Sequence, residues 1–62
     1  MTVQQHYDSL DSQGRSELLL KTGETPEEAE ILSRRDYVAL GGSVKTRLKK
    51  YWNRKMKEPV QP

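Results

Sequence analysis

From Val44 to Lys57 the sequence leaves little freedom in either conformation or neighbours. At ~100° per residue, Val44, Leu48, Tyr51, Trp52 and Met56 fall on one continuous apolar stripe. The segment is therefore predicted to be a helix whose stripe lies against other helices. Ser43 stands ready as its N-cap after the Gly41-Gly42 break, and Pro59 ends it. The opposite side presents Thr46, Arg47, Lys50, Asn53, Arg54 and Lys57, and no acid interrupts the segment before Glu58. A helix shaped only for solubility alternates signs to gain i,i+4 pairs; this one gains none.

Such a stripe needs a core, and the expected partners are Leu18, Leu19 and Leu20 together with Leu32 and Leu40. Val3, Tyr7 and Leu10 share one face of a short opening helix capped by Thr2. Asp11 or Ser12 caps a second helix that carries the leucines, and Gly23 suits its stop. Gly14 marks either a kink between these two helices or a place where another helix approaches closely. Thr25-Pro26-Glu27-Glu28 supplies a cap, a proline at the first helical position and a capping-box glutamate. The third helix runs from there through Ala29, Ile31 and Leu32 toward Leu40, either unbroken or with a break near Ser33, where Ser33-Arg34-Arg35-Asp36 reads as a second capping box. Ala29, Leu32 and Leu40 share one face while Ile31 and Val38 lie on another, so either a helix buried on two sides or two short helices is expected. Trp52, near the stripe's centre, belongs to the core, and Tyr51 to its edge.

The result is an all-α fold, a small single-domain bundle of three to four short helices with a basic amphipathic C-terminal helix. The domain is expected over 1–58, with 59–62 a flexible tail. At 62 residues the chain has room for one domain, and a domain of this size buries only about 60% of its unfolded surface. Apolar residues make up 32% of it, a lean core that a homodimer or a partner would supplement.

The net charge of +2 conceals a division. Residues 1–32 hold seven acids and two bases, a balance of −5, whereas residues 33–62 hold nine bases and two acids, a balance of +7. Segregation of this kind points to a basic working surface on the C-terminal half. Arginine can grip a guanine edge in two places, asparagine can do so for adenine, and lysine neutralises phosphate. Arg47, Lys50 and Asn53 are thus the base-edge candidates. Lys45, Lys49, Arg54 and Lys57 are the backbone anchors, Arg34 and Arg35 add flanking charge, and Thr46 completes the face. Tyr37 to Thr46, with its Leu40-Gly41 turn, Ser43 cap and the basic helix that follows, resembles the turn and recognition helix of the helix-turn-helix motif. The resemblance implies duplex DNA as partner and transcription regulation as role. Small regulators of this size are common in phages and mobile elements. The competing expectation is a protein-binding inhibitor or adaptor that docks on an acidic protein surface through the basic helix, or through its own acidic half.

Other chemistry is not expected. The absence of cysteine excludes thiolate metal sites and thiol catalysis. His6, near Asp8 and Ser9, lacks the held geometry of a catalytic base and is expected to be solvated or lightly packed. Glu24, Glu27, Glu28 and Glu30 lack calcium-loop spacing. Gly41-Gly42 is too short for a phosphate-binding loop, although Ser43 and the first amides of the last helix can receive one phosphate oxygen. No cofactor, metal or enzymatic activity is expected. No apolar run approaches the ~18 residues of a membrane span. Met1 to Leu10 lacks the pattern of a secretory signal, so the chain is expected in the cytoplasm, at the nucleoid if it binds DNA.

Overall fold

Three of the predicted caps, Thr2, Asp11 and Thr25, each start a helix. The computed structural model describes residues 2–57; the Pro59 stop and the tail expected over 59–62 lie outside them. Four α-helices follow one another: α1 (Val3–Ser9), α2 (Ser12–Lys21), α3 (Pro26–Leu32) and α4 (Gly42–Lys57), with a 3₁₀ turn at Tyr37–Ala39 before α4. No strand occurs among the described residues, and none of their helices is long and apolar enough to cross a membrane.

Thr2 opens α1 with a capping box: its hydroxyl accepts from the Gln5 amide at 3.1 Å, and the Gln5 side chain accepts from the Thr2 amide at 2.9 Å. Leu10 is extended and ends α1, so residues 2–22 form two helices. Asp11 then caps α2 through the Gly14 amide at 2.8 Å. Among the described residues no other helix crosses at Gly14; the crowding is local, for a Cβ there would stand 3.3 Å from the Leu10 side chain and from Asp11 Oδ1, at the junction of α1 and α2. At the other end of α2, Gly23 adopts φ +105°, and the amides of Gly23 and Glu24 bond back to Leu20 and Leu19. This is the full Schellman pattern, which satisfies carbonyls that a helix end otherwise leaves bare. Thr25 caps α3 through the Glu28 amide at 3.2 Å.

One core joins these elements. Val3 and Tyr7 of α1, Leu18 and Leu19 of α2, Ala29 and Leu32 of α3, Tyr37 and Leu40, and Val44 and Leu48 of α4 are all buried. Three polar contacts bolt α1 to the rest. The Tyr7 hydroxyl donates to the Leu32 carbonyl at 2.9 Å, at the end of α3. Asp8 accepts from the Tyr37 amide at 3.1 Å and so caps the 3₁₀ turn from 29 residues away. Arg15 spreads its guanidinium over the carbonyls of Tyr7, Asp8 and Arg35 and over the Tyr7 ring, 4.9 Å from its centroid.

Five details differ from expectation. Ser33 closes α3 instead of opening another helix: it is buried and its hydroxyl turns back to the Glu30 carbonyl at 2.7 Å. The third segment is buried on one side only, for Ile31 and Val38 stay exposed while Ala29, Leu32 and Leu40 face the core. Leu20 also points outward. Gly42, not Val44, begins α4, with the Lys45 amide bonded to the Gly41 carbonyl. Ser43 therefore sits in the first turn, where amides have no intrahelical partner and glycine costs little. Finally, the apolar stripe outruns its core. Val44 and Leu48 are buried, Tyr51 and Trp52 half-buried, and Met56 is 62% exposed. A 16-residue helix is about 24 Å long. The molecule measures 36 × 21 × 20 Å, so α4 is longer than either short dimension.

Candidate functional site

Because Val44 and Leu48 face inward, the far side of α4 is fixed in solvent. Thr46, Lys49, Lys50, Asn53 and Arg54 are all exposed. Thr46, Lys50 and Asn53 fall at i, i+4 and i+7, a line running along the helix opposite the core. The Thr46 hydroxyl donates to the Gly42 carbonyl at 2.9 Å, which leaves its lone pairs to face outward. Lys57 belongs to the helix, but its side chain lies outside the described residues.

The remaining predicted residues are distributed less simply. Lys45 leaves the outer face; it is half-buried, with its ammonium 6.0 Å from the Tyr37 ring centroid. Arg34 pairs with Glu30 at 3.2 Å and lines a depression with Ser12, Ser16 and Glu17, so it is not gathered with α4. Arg35 lines another depression with Gly41 and Val44 and flanks the start of α4.

Arg47 is the largest departure. Its Nη2 donates to both carboxylate oxygens of Glu24, at 2.7 Å each. The Glu24 side chain is 4% exposed and that of Arg47 is 44% exposed. A buried carboxylate is costly unless paired and hydrogen-bonded, so this arginine is committed to the fold before any ligand arrives. Glu24 had one signal in the sequence: it follows the stop glycine, where side chains fold back on the preceding helix.

Two clefts flank α4. On one side Lys21 and Thr22, at the end of α2, face Arg47, Lys50, Tyr51 and Arg54 across a cavity of about 200 Å³. Sequence reasoning missed Lys21 because it lies in the acidic half, as a single base closing the leucine helix. On the other side a groove of about 350 Å³ runs between α1, α2 and the last turns of α4, with Leu10, Leu18, Trp52 and Met56 along it. Here His6 packs its ring on Trp52, with centroids 4.8 Å apart. Asp8, its expected neighbour, is turned to the Tyr37 amide, and the Ser9 hydroxyl donates to the His6 carbonyl. Trp52 is thus a partly buried residue at the edge of the core, packed against it on one side and facing this groove on the other.

Two tyrosines are perturbed. Burial raises the Tyr7 phenol above its ordinary 10.0; the Arg15 guanidinium opposes the rise, and Asp8 and Asp36 add to it. Burial alone raises Tyr37, whose hydroxyl finds no hydrogen-bond partner among the described residues. Among those residues no cluster of three or more His, Asp or Glu side chains is arranged to hold a metal ion. No family model, curated protein or solved structure matches this chain.

Proposed function

We propose that the protein is a non-enzymatic nucleic-acid-binding module, a duplex-DNA-binding regulator that works through α4. The observation that carries this reading is the outer face of α4: exposed, basic, and free of acid among the described residues. Lysine and arginine along it are suited to phosphate oxygens, which supply affinity. Lys50 and Asn53, on the line farthest from the core, are suited to base edges. Arg47 moves in this scheme from base reader to flanking charge, because Glu24 already holds it.

The helix-turn-helix resemblance enters in reduced form. Nine residues, 33–41, connect α3 to α4 and include the 3₁₀ turn, where that motif's turn takes about three or four. What remains similar is α4 with its Leu40-Gly41 lead-in. A single module of this size covers about 600–1,000 Å² of DNA and binds weakly alone, so paired use on a repeated site fits the reading. Such a role belongs in the cytoplasm, at the nucleoid.

The test is a titration of duplex DNA followed by Trp52 fluorescence over a salt series, with polyglutamate as the matched acidic polymer. Micromolar or tighter binding near ~150 mM salt, with a steep log–log slope and clear preference for DNA, is the expected result. Equal, weak binding to both polymers that vanishes with modest salt would overturn it. A second reading, docking on another protein, is favoured by the groove beside Trp52 and Met56, whose apolar lining DNA binding does not use. It predicts that Met56→Glu abolishes partner capture while leaving DNA affinity low and unchanged.

A further inference from the structure

We propose that the cleft between the end of α2 and the Arg47–Arg54 flank of α4 is a phosphate site, with Lys21 as its far wall. The inference rests on the nucleic-acid reading for the source of the phosphate, not for the existence of the site.

Four cations from two helices converge on one cavity of about 200 Å³. Along α4, Arg47–Lys50 and Lys50–Arg54 stand at i,i+3 and i,i+4, spacings at which like charges destabilise a helix. Lys21 adds a fourth cation from a separate element, so the repulsion is not an accident of one helix's composition. The acid paired with Arg47 brings the other three little relief. Glu24 gives both its oxygens to Arg47 Nη2 and is buried under it, leaving Lys21, Lys50 and Arg54 without a carboxylate partner among the described residues. An anion in the cleft would remove that repulsion, and nothing among the described residues does so.

The donor set favours phosphate over a carboxylate. Every hydrogen bond that Arg47 makes among the described residues leaves from Nη2. Its Nε–H and Nη1–H₂ groups remain, on a guanidinium already held in place, which reduces the entropy lost when a ligand binds. Lysine ammoniums from opposite walls add donors in other directions, an arrangement that serves several oxygens around one centre. The cavity is several times the ~30 Å³ share of a liquid water molecule, room for a phosphate with part of its hydration. Thr22 shapes the wall without competing, since its hydroxyl donates to the Leu19 carbonyl at 2.8 Å.

The source is a backbone phosphodiester. Lys50 belongs both to this cleft and to the outer line with Thr46 and Asn53. A strand anchored in the cleft would continue along α4, whereas a free phosphate would use the cleft alone.

The experiment compares the wild-type chain with Lys21→Ala, Lys50→Ala and Lys49→Ala, an exposed lysine outside the cleft. Each is titrated with duplex DNA over a salt series and, separately, with inorganic phosphate, followed by amide resonances. Lys21→Ala is expected to weaken duplex binding about fivefold and to reduce the salt slope by about one, as Lys50→Ala does. Phosphate should shift the Lys21, Lys50, Tyr51 and Arg54 amides saturably in the wild type and in Lys49→Ala, but not in Lys21→Ala. Normal duplex affinity and slope in Lys21→Ala, beside a weakened Lys50→Ala, would overturn the cleft and leave the α4 reading intact. Saturable phosphate shifts in a chain that ignores duplex DNA would keep the site and discard the nucleic-acid reading. A chain that responds to neither ligand overturns both.

Discussion

The two buried tyrosines show how much depends on one hydroxyl. Tyr7 donates to the Leu32 carbonyl; Tyr37, packed edge-on against it with centroids 6.1 Å apart, donates to nothing among the described residues. Losing a buried, satisfied hydroxyl costs about 1–2 kcal/mol, while losing an unsatisfied one is neutral or gains up to about 1 kcal/mol. Tyr7→Phe should therefore lower the urea midpoint, and Tyr37→Phe should hold or raise it. A pH dependence follows. Both phenols are raised in the fold above 10.0, so the unfolded chain ionises first as pH climbs. Their contribution is fully present below pH 10.0 and is lost as pH rises through the folded values. The midpoint should stay flat up to that point and then fall, and Tyr37→Phe should blunt the fall; an unaltered alkaline limb in that variant would count against the assignment. Arg47 supplies the other single-residue prediction. Arg47→Ala leaves the Glu24 carboxylate buried without its partner, at a cost of about 2 kcal/mol. That is below the ~3–5 kcal/mol of a fully buried pair, because Arg47 is itself partly solvated. Adding Glu24→Gln should restore part of the loss, and a strictly additive pair would show that the contact carries no coupling.

At the scale of elements, glycines with the same side chain make opposite predictions. Gly23 holds φ +105° with nothing within 4 Å of an added Cβ, so the cost of Gly23→Ala is purely conformational, about 1–2 kcal/mol. Gly42 lies in the first turn of α4 at negative φ, also in open space, and Gly42→Ala should stabilise by about 0.4–1 kcal/mol. Thermal melts of both variants check the pair, and a loss at both positions would mean that α4 begins elsewhere. These helix ends were legible because they are local: a threonine, aspartate or glycine acts on amides and carbonyls within a few residues. The break at Ser33 was legible for the same reason, though its mechanism was not. A serine can cap forward or bond back, and the choice depends on burial, which spacing does not reveal. What stayed hidden was long-range. Asp8 capping the 3₁₀ turn, Arg15 covering three carbonyls and Glu24 claiming Arg47 each join residues far apart in sequence, and only the packed core decides that they meet. The line of Thr46, Lys50 and Asn53 was readable from the period of α4 alone, whereas the tie of Arg47 to Glu24 and the Lys21 wall of the cleft required knowing where α2 ends in space.

Across the whole molecule the two charged halves neutralise one another only in part. Three ion pairs occur among the described residues: Arg15–Asp36 at 3.8 Å, Arg34–Glu30 at 3.2 Å and Arg47–Glu24 at 2.7 Å. In the first, Asp36 is exposed; the second is an exposed i,i+4 pair; only the third is sheltered from salt. Lys49, Lys50, Arg54 and Lys55 have no acid partner among those residues, so added salt screens their mutual repulsion more than it weakens the one sheltered pair. The melting temperature should accordingly hold or rise slightly between about 50 and about 200 mM salt. DNA binding should move the other way. With Lys21, Lys49, Lys50 and Arg54 each neutralising a phosphate, the log–log slope is about −3.6, and affinity should fall about 10²-fold over the same range. Measuring both quantities on one sample separates binding from folding. A melting temperature that falls together with the affinity would mean that salt loosens the fold itself. The loss of binding could then no longer be assigned to counterions displaced from the basic face of α4.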